Sequence, residues 1–181
     1  MSAHCILSHG FESGPNATKV TALAEVAERH GLSHERPDYT DLDAKREVSV
    51  VGDVVARLER LRTLARAAAA RGPLVLAGSS LGAYISGRIA LDLQAEGAAV
   101  RALFLMAPAL RMGTLPDLDA PDVPVSIVHG WHDELIPAAD VIAWARPRSA
   151  RLLLVDDSHR LARHVHTSAA AFGTLLHTLH D

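Results

Sequence analysis

Residues 74–83, with the sequence LVLAGSSLGA, decide how this chain folds. The first four residues form a continuous apolar run, which is typical of a strand buried on both faces of a parallel sheet. A helical pattern begins directly after them, so one tight turn must connect the strand to the helix. That turn holds Gly78, Ser80 and Gly82 in a Gly-x-Ser-x-Gly pattern, and its setting predicts a nucleophile elbow.

The turn predicts a reactive serine at position 80. By residue usage, the pattern alone occurs by chance in about one chain in twenty of this length, so its place between strand and helix carries the prediction. An elbow strains the backbone at its serine, and Gly78 and Gly82 leave the room that this conformation needs. Ser80 would lie at a helix N-terminus, where N–H groups face developing negative charge. The alternatives are a glycine-rich turn with a serine helix cap, and Ser79 as the nucleophile.

Short apolar runs alternate with amphipathic segments along the rest of the chain. The runs predict strands at 4–7, 33–36, 74–77, 100–106, 125–128 and 151–155. Helical spacing predicts helices from a cap at Asn16 through Ala27, along a face from Val51 to Ala65, over 81–96, from Pro137 through Trp144, and over 161–180. This alternation predicts an α/β fold with a mostly parallel sheet of about six strands and helices on both faces. We expect one domain over residues 1–181, with a surface loop rather than a lid at 110–124.

Asp133 and His159 are the predicted partners of Ser80. A serine hydroxyl needs a base, and in folds with this elbow the chain order is serine, acid, histidine. Asp133 follows the strand at 125–128, and His159 follows the last strand, so both lie at the sheet edge that presents Ser80. A helix-capping role is the alternative for Asp133, and Glu134 is the nearest rival acid. Position selects His159 among eleven histidines, while Asp157 fits a turn better.

The loop after the first strand is predicted to complete an oxyanion hole. Such a hole needs two N–H donors, and the first is expected from the backbone of Leu81. The second is expected from Phe11, because Gly10 lets the backbone approach closely. His9 is expected to brace this loop, and the alternative is an ordinary glycine-bearing turn.

Composition narrows the possible functions. The net charge is −3, which disfavours a nucleic-acid partner. Five arginines at helical spacing indicate a solvated helix face; they are Arg57, Arg60, Arg62, Arg66 and Arg71. Cys5 is the one cysteine and fits a buried strand. Without a signal-like segment or a long apolar run, a cytoplasmic protein with no membrane partner is expected. No zinc spacing, P-loop or dinucleotide fingerprint is present.

These motifs together resemble the small α/β-hydrolase esterases, particularly the compact YqiA-like kind. The matching landmarks are His9-Gly10-Phe11, the elbow at 78–82, the segment 129–133 and Asp157-Ser158-His159. The resemblance implies an α/β-hydrolase fold with Ser80, Asp133 and His159 as the triad and the Phe11 and Leu81 amides as oxyanion donors. The first strand leads directly into the His9-Gly10 loop, which departs from larger members that have two earlier strands and a lid.

The expected activity is transfer of an acyl group from a small-molecule ester or thioester to water, without a metal or organic cofactor. Phe11, Leu110, Met112, Trp131 and Leu135 are expected to line an open, shallow site. A non-catalytic binding module is the alternative from another class, and amide or carbon–carbon bond hydrolysis is the alternative among enzymes. The oligomeric state has no signature in the sequence.

Overall fold

The apolar runs form one six-stranded sheet in the computed structural model, which describes residues 2–179. Its strands are β1 (His4–Ser8), β2 (Ser33–Glu35), β3 (Leu74–Ser79), β4 (Val100–Met106), β5 (Val125–Gly130) and β6 (Arg151–Val155). Their order in the sheet is β2-β1-β3-β4-β5-β6, and each neighbouring pair is parallel. The α/β class and the number of strands are therefore confirmed.

Helices cover both faces of this sheet. They are α1 (Thr18–Arg29), α2 (Thr40–Asp43), α3 (Val54–Ala69), α4 (Leu81–Ala95), α5 (Ala138–Ala145) and α6 (Val165–His177). Leu76 and the other strand residues of its face pack with α3, α4 and α5, whereas Val75 and its face pack with α1 and α6. Because both faces are covered, β3 is apolar at successive positions instead of alternating.

Several boundaries differ from the predicted ones. The first helix begins at Thr18 with Ala17 at its N-cap, so Asn16 is not the cap. Helix α3 begins after Asp53, whose side chain accepts a hydrogen bond from the Ala56 N–H, and therefore Val51 precedes the helix. The short helix α2 was not predicted. The last helix begins at Val165 after a 3-10 turn, and its predicted end at 180 lies outside the described residues.

The prediction of a solvated arginine face was wrong at one position. Arg57 is 0% exposed, while Arg60, Arg62 and Arg66 form ion pairs nearer the surface. The buried residues of α3 recur at spacings of three and four, and Arg57 lies within that row between Val54 and Leu61. The helical period of the apolar residues therefore places Arg57 inside.

The segment between β4 and β5 contains neither a helix nor a strand in the described chain, so no lid domain is inserted there. Among the helices within residues 2–179, none has the length and apolar character that crossing a membrane requires.

Candidate active site

Ser80 lies at the junction of β3 and α4, at the carboxyl edge of the sheet. Its backbone has φ 54° and ψ −117°, a positive φ that non-glycine residues rarely adopt and that costs about 1–3 kcal/mol. The surroundings hold this conformation: the Ser80 N–H donates to the Met106 carbonyl at 2.8 Å, and the Ser80 carbonyl accepts from the Ala83 N–H at 3.0 Å. Ser80 is therefore held in a strained turn between a strand and a helix.

The two glycines of the turn allow three backbone segments to cross at close range. A Cβ atom at Gly78 would collide with the carbonyl of Gly82, and one at Gly82 would collide with the carbonyls of Ser8 and His9. Neither position has space for a side chain. The close packing of Gly82 against the end of β1 also brings the loop after β1 to the serine.

The three side chains predicted from separate loops form a hydrogen-bonded chain. Ser80 Oγ lies 2.8 Å from His159 Nε2, and His159 Nδ1 lies 2.7 Å from Asp133 Oδ2. A carboxylate only accepts hydrogen bonds, so the imidazole donates from Nδ1 and leaves Nε2 free to accept the serine proton. The geometry thus orients an unprotonated ring nitrogen toward the hydroxyl.

Asp133 is held as a carboxylate by its own loop. Its side chain is 0% exposed, and Oδ1 accepts hydrogen bonds from the N–H groups of Leu135 and Ile136 at 2.9 and 2.8 Å. Burial alone would raise the pKa of Asp133, but the hydrogen bonds from His159, Ile136 and Leu135 outweigh it, so the pKa is lowered. The charged form is therefore the stable one beside His159.

The rival acids occupy other positions. One carboxylate oxygen of Glu134 accepts the backbone N–H of His159 at 3.1 Å, so it supports the loop without contacting the imidazole. Asp157 accepts from the N–H groups of Ser158 and Arg163 and pairs with His164 Nδ1 at 3.0 Å. Asp157 therefore fixes the turn that carries His159, in agreement with the turn role expected for it.

The loop after β1 lies directly against the serine. A Cβ atom at Gly10 would lie 3.2 Å from the Ser79 carbonyl oxygen and 3.5 Å from Ser80 Cβ. Within residues 2–179, the N–H groups of Phe11 and Leu81 have no protein acceptor. Two unpaired donors in the segments next to a nucleophilic position are able to bind a developing oxyanion.

His9 connects this loop to the segment before α2. Its Nδ1 donates to the Gly10 carbonyl at 2.7 Å, and its Nε2 accepts the Tyr39 N–H at 3.0 Å. This pair of contacts requires the neutral ring, and burial lowers the pKa of His9 in the same sense. His9 thus braces the loop and has no contact with Ser80.

A buried ion pair that the sequence reading missed supports the same loop. Arg57 donates to the carbonyls of His9 and Gly10 at 3.2 and 3.3 Å, and its Nε donates to Asp43 Oδ1 at 2.8 Å. The second carboxylate oxygen of Asp43 accepts the Glu12 N–H at 3.1 Å. The pair therefore holds the backbone on both sides of Phe11. The signal in the sequence was the place of Arg57 in the apolar row of α3.

A cleft of about 750 Å³ opens over Ser80 and His159. Three of the five predicted lining residues face it: Phe11, Met112 and Leu135. The prediction was wrong for Leu110, which lines a neighbouring cavity of about 360 Å³, and for Trp131, whose exposed side chain lies outside the cleft. Loop proximity in sequence does not determine which way a side chain points. In the described part of the chain, no group of three or more His, Cys, Asp or Glu side chains could hold a metal ion.

Comparison with known protein families finds a match to part of the chain. The Thioesterase domain family matches residues 43–120, a region that contains Ser80 but neither Asp133 nor His159. No curated protein matches the chain.

Solved structures match the chain over nearly its whole length. A Xanthomonas campestris protein described as a hydrolase of the alpha/beta superfamily is 64% identical, with a TM-score of 0.93 over 97% of this chain and 99% of the other. Est1E from Butyrivibrio proteoclasticus has 20% identity and a TM-score of 0.73 over 98% and 88%. XC6422 from Xanthomonas campestris, described as an a/b serine hydrolase without lid, has 20% identity and a TM-score of 0.66 over 98% and 83%. The last two are similar in fold alone.

Proposed function

The chain belongs to the α/β-hydrolase superfamily, and from this premise we propose that it is a serine hydrolase that cleaves a carboxylic ester or thioester. The observation that carries the proposal is the hydrogen-bonded chain from Ser80 through His159 to Asp133. It starts at a strained serine and ends at a buried carboxylate, which is the arrangement that activates a weak nucleophile.

The first half of the reaction forms an acyl-enzyme. Ser80 Oγ attacks the carbonyl carbon while His159 Nε2 takes the hydroxyl proton, and Asp133 stabilises the resulting imidazolium. The negative charge that develops on the carbonyl oxygen is bound by the N–H groups of Phe11 and Leu81. The intermediate collapses, the bond to the leaving group breaks, and the leaving alcohol or thiol takes the proton from His159.

The second half returns the enzyme to its starting state. Water enters the open cleft and gives a proton to His159 as its oxygen attacks the acyl carbon. Collapse of this second intermediate releases the carboxylic acid, and the proton on His159 returns to Ser80 Oγ. Every step uses groups of this chain and water, so the chemistry requires no metal or organic cofactor.

The lining and openness of the cleft indicate which acyl groups fit it. Its apolar wall includes Phe11, Met112 and Leu135, and no helix or strand between β4 and β5 covers it in the described residues. A small or extended acyl group fits such an open site better than one that needs enclosure. The match to the Thioesterase domain family supports testing thioesters beside oxygen esters, and membership of the YqiA-like kind stays a prediction.

Active-site labelling tests the proposal directly. We expect a fluorophosphonate probe to label the wild-type protein and to fail with Ser80→Ala, while p-nitrophenyl acetate hydrolysis falls by at least about 10⁴-fold. Ser79→Ala is the matched control, because Ser79 is the adjacent serine, 2% exposed, with no partner for its hydroxyl in the described chain; it should still be labelled. A folded wild-type protein that neither labels nor hydrolyses esters or thioesters would instead support the non-catalytic binding module.

A further inference from the structure

Two cations line the same cleft as the serine. Lys19 is the second residue of α1, and Arg160 directly follows His159 in the loop after β6. Both border the space that Ser80 and His159 face. Ion pairs within 4 Å are formed by other charged residues of the described chain, 2–179, but neither Lys19 nor Arg160 takes part in one.

The other charges of the cleft are already engaged. Arg111 pairs with Asp117 at 3.4 Å, Glu12 pairs with Arg46, and Glu134 accepts the His159 N–H. The cations that remain available to a ligand are therefore Lys19 and Arg160. The two are near enough for the charge of Arg160 to act on Lys19.

Lys19 is held in a position that disfavours its charge. Burial lowers its pKa, and the nearby Arg160 lowers it further, while Asp133 and Asp157 act in the opposite direction from a distance. A partly buried ammonium group beside a guanidinium, without a bonded carboxylate, is stabilised when an anion arrives. A lysine required only for solubility would extend into water instead.

We propose that Lys19 and Arg160 form an anion subsite that binds a carboxylate or phosphate group of the substrate. The inference rests on the proposed hydrolase function and specifies its substrate class: an ester or thioester that carries a negative charge away from the scissile bond. A phosphate on a leaving thiol and a carboxylate on the acyl chain are the two sources of such a charge.

Two matched substrate pairs test the subsite. S-acetyl-4′-phosphopantetheine and S-acetylpantetheine share the thioester and differ only in a phosphate group on the leaving side. 4-Nitrophenyl hydrogen adipate and its methyl ester differ in a carboxylate on the acyl side. We expect the charged member of at least one pair to have a kcat/KM about 100-fold higher, which is the size expected for two charge-assisted contacts of about tenfold each. The pair that shows the preference identifies the source.

Substitutions assign that preference to the two residues. Lys19→Gln and Arg160→Gln should each lower the ratio of charged to neutral kcat/KM by about tenfold. Lys45→Gln makes the same charge change at an exposed residue paired with Asp53 and should leave the ratio as it is. The absence of a preference in both pairs, or a preference that survives both substitutions, would overturn the subsite.

A binding measurement separates the failure of the subsite from failure of the hydrolase proposal. Calorimetry with Ser80→Ala protein should detect coenzyme A or adipate, with binding weakened about tenfold when Lys19→Gln is added. Neutral esters hydrolysed without any charge preference would refute only the subsite. Anion binding without fluorophosphonate labelling would refute only the hydrolase.

Discussion

The loops on the two sides of Ser80 are held in different ways. On one side, the loops after β5 and β6 carry Asp133 and His159 and are fixed mainly from within. Asp133 binds N–H groups two and three residues away, and Asp157 binds N–H groups one and six residues away. Local contacts of this kind follow from the sequence of the loop itself.

On the other side, the loop after β1 depends on residues far along the chain. His9 meets the Tyr39 N–H at a separation of 30 residues, Glu12 meets Asp43 at 31, and the Arg57 guanidinium reaches the Gly10 carbonyl at 47. The acid–base side therefore combines hydrogen bonds within each loop with contacts between the two loops, such as that of Glu134 with the His159 N–H, whereas the oxyanion side depends on residues 30 or more positions away. Substitutions at Asp43 or Arg57, which are distant in sequence from the loop after β1, should therefore affect the oxyanion side.

The largest expected effect tests the acid–base side. Asp133→Asn keeps the shape of the side chain but can no longer favour the Nδ1-protonated imidazole, so we expect kcat to fall by about 10⁴-fold. Asp156→Asn, an exposed acid paired with His132 in the neighbouring loop, is the control and should change kcat less than about twofold. Steady-state kinetics with p-nitrophenyl acetate measure both, and equal losses would contradict the assigned role.

The same contrast explains what could be predicted from the sequence. The turn around Ser80 was readable because a strand, a glycine-flanked serine and a helix follow each other without a gap. Asp133 and His159 were selected because parallel strands end at one edge, so residues directly after β5 and β6 must lie near the residue after β3. The fold was readable for the same reason, since buried runs and helical periods are local patterns.

The features that the sequence does not predict depend on contacts between distant residues. Arg57 belongs both to a row of arginines that otherwise form surface ion pairs and to the apolar row of α3. Its partner Asp43, in the unpredicted helix α2, balances its buried charge. That helix has four residues, too few to show a period. Proximity in sequence predicts Trp131 in the cleft, but its side chain is 54% exposed and does not line it.

The next largest effect tests the oxyanion side. Arg57→Met leaves the Asp43 carboxylate buried and unpaired, which we expect to lower the free energy of unfolding by about 3–5 kcal/mol. It also removes the donors to the His9 and Gly10 carbonyls, so the Phe11 N–H should shift and kcat should fall about 100-fold with little change in KM. Urea unfolding and steady-state kinetics measure the two losses.

A second variant separates loop positioning from stability. Adding Asp43→Leu to Arg57→Met removes the unpaired charge, so part of the lost stability should return. The loop carbonyls still lack their donors, and kcat should therefore stay low. Recovery of kcat together with stability would show that the ion pair acts on folding alone.

The smallest effect is a difference in the pH range over which each side loses stability. The pKa of Asp133 is lower in the folded protein than its unfolded value of about 3.9. Its carboxylate therefore adds to the free energy of unfolding above that unfolded value, and this contribution is lost as the pH falls through the lower folded pKa. The lowered pKa of the buried His9 changes the free energy of unfolding at higher pH. Its unfolded form binds a proton below about pH 6.5 while the folded form does not, so stability should decline from there downward.

Urea unfolding of the wild type, His9→Gln and Asp133→Asn between pH 3 and 8 measures this difference. His9→Gln should reduce the slope of stability against pH between about pH 5 and 6.5 by at most about 1.4 kcal/mol per pH unit, the value for one proton. His4 and His129 also have pKa values lowered by burial, so part of the slope should persist. Asp133→Asn should change the slope most strongly below about pH 4. It also removes a charge that raises the pKa of His129, so a smaller change is expected at higher pH. If the largest changes in the free energy of unfolding fell in the same pH range for both variants, the two sides of the site would not differ in how their stability depends on pH.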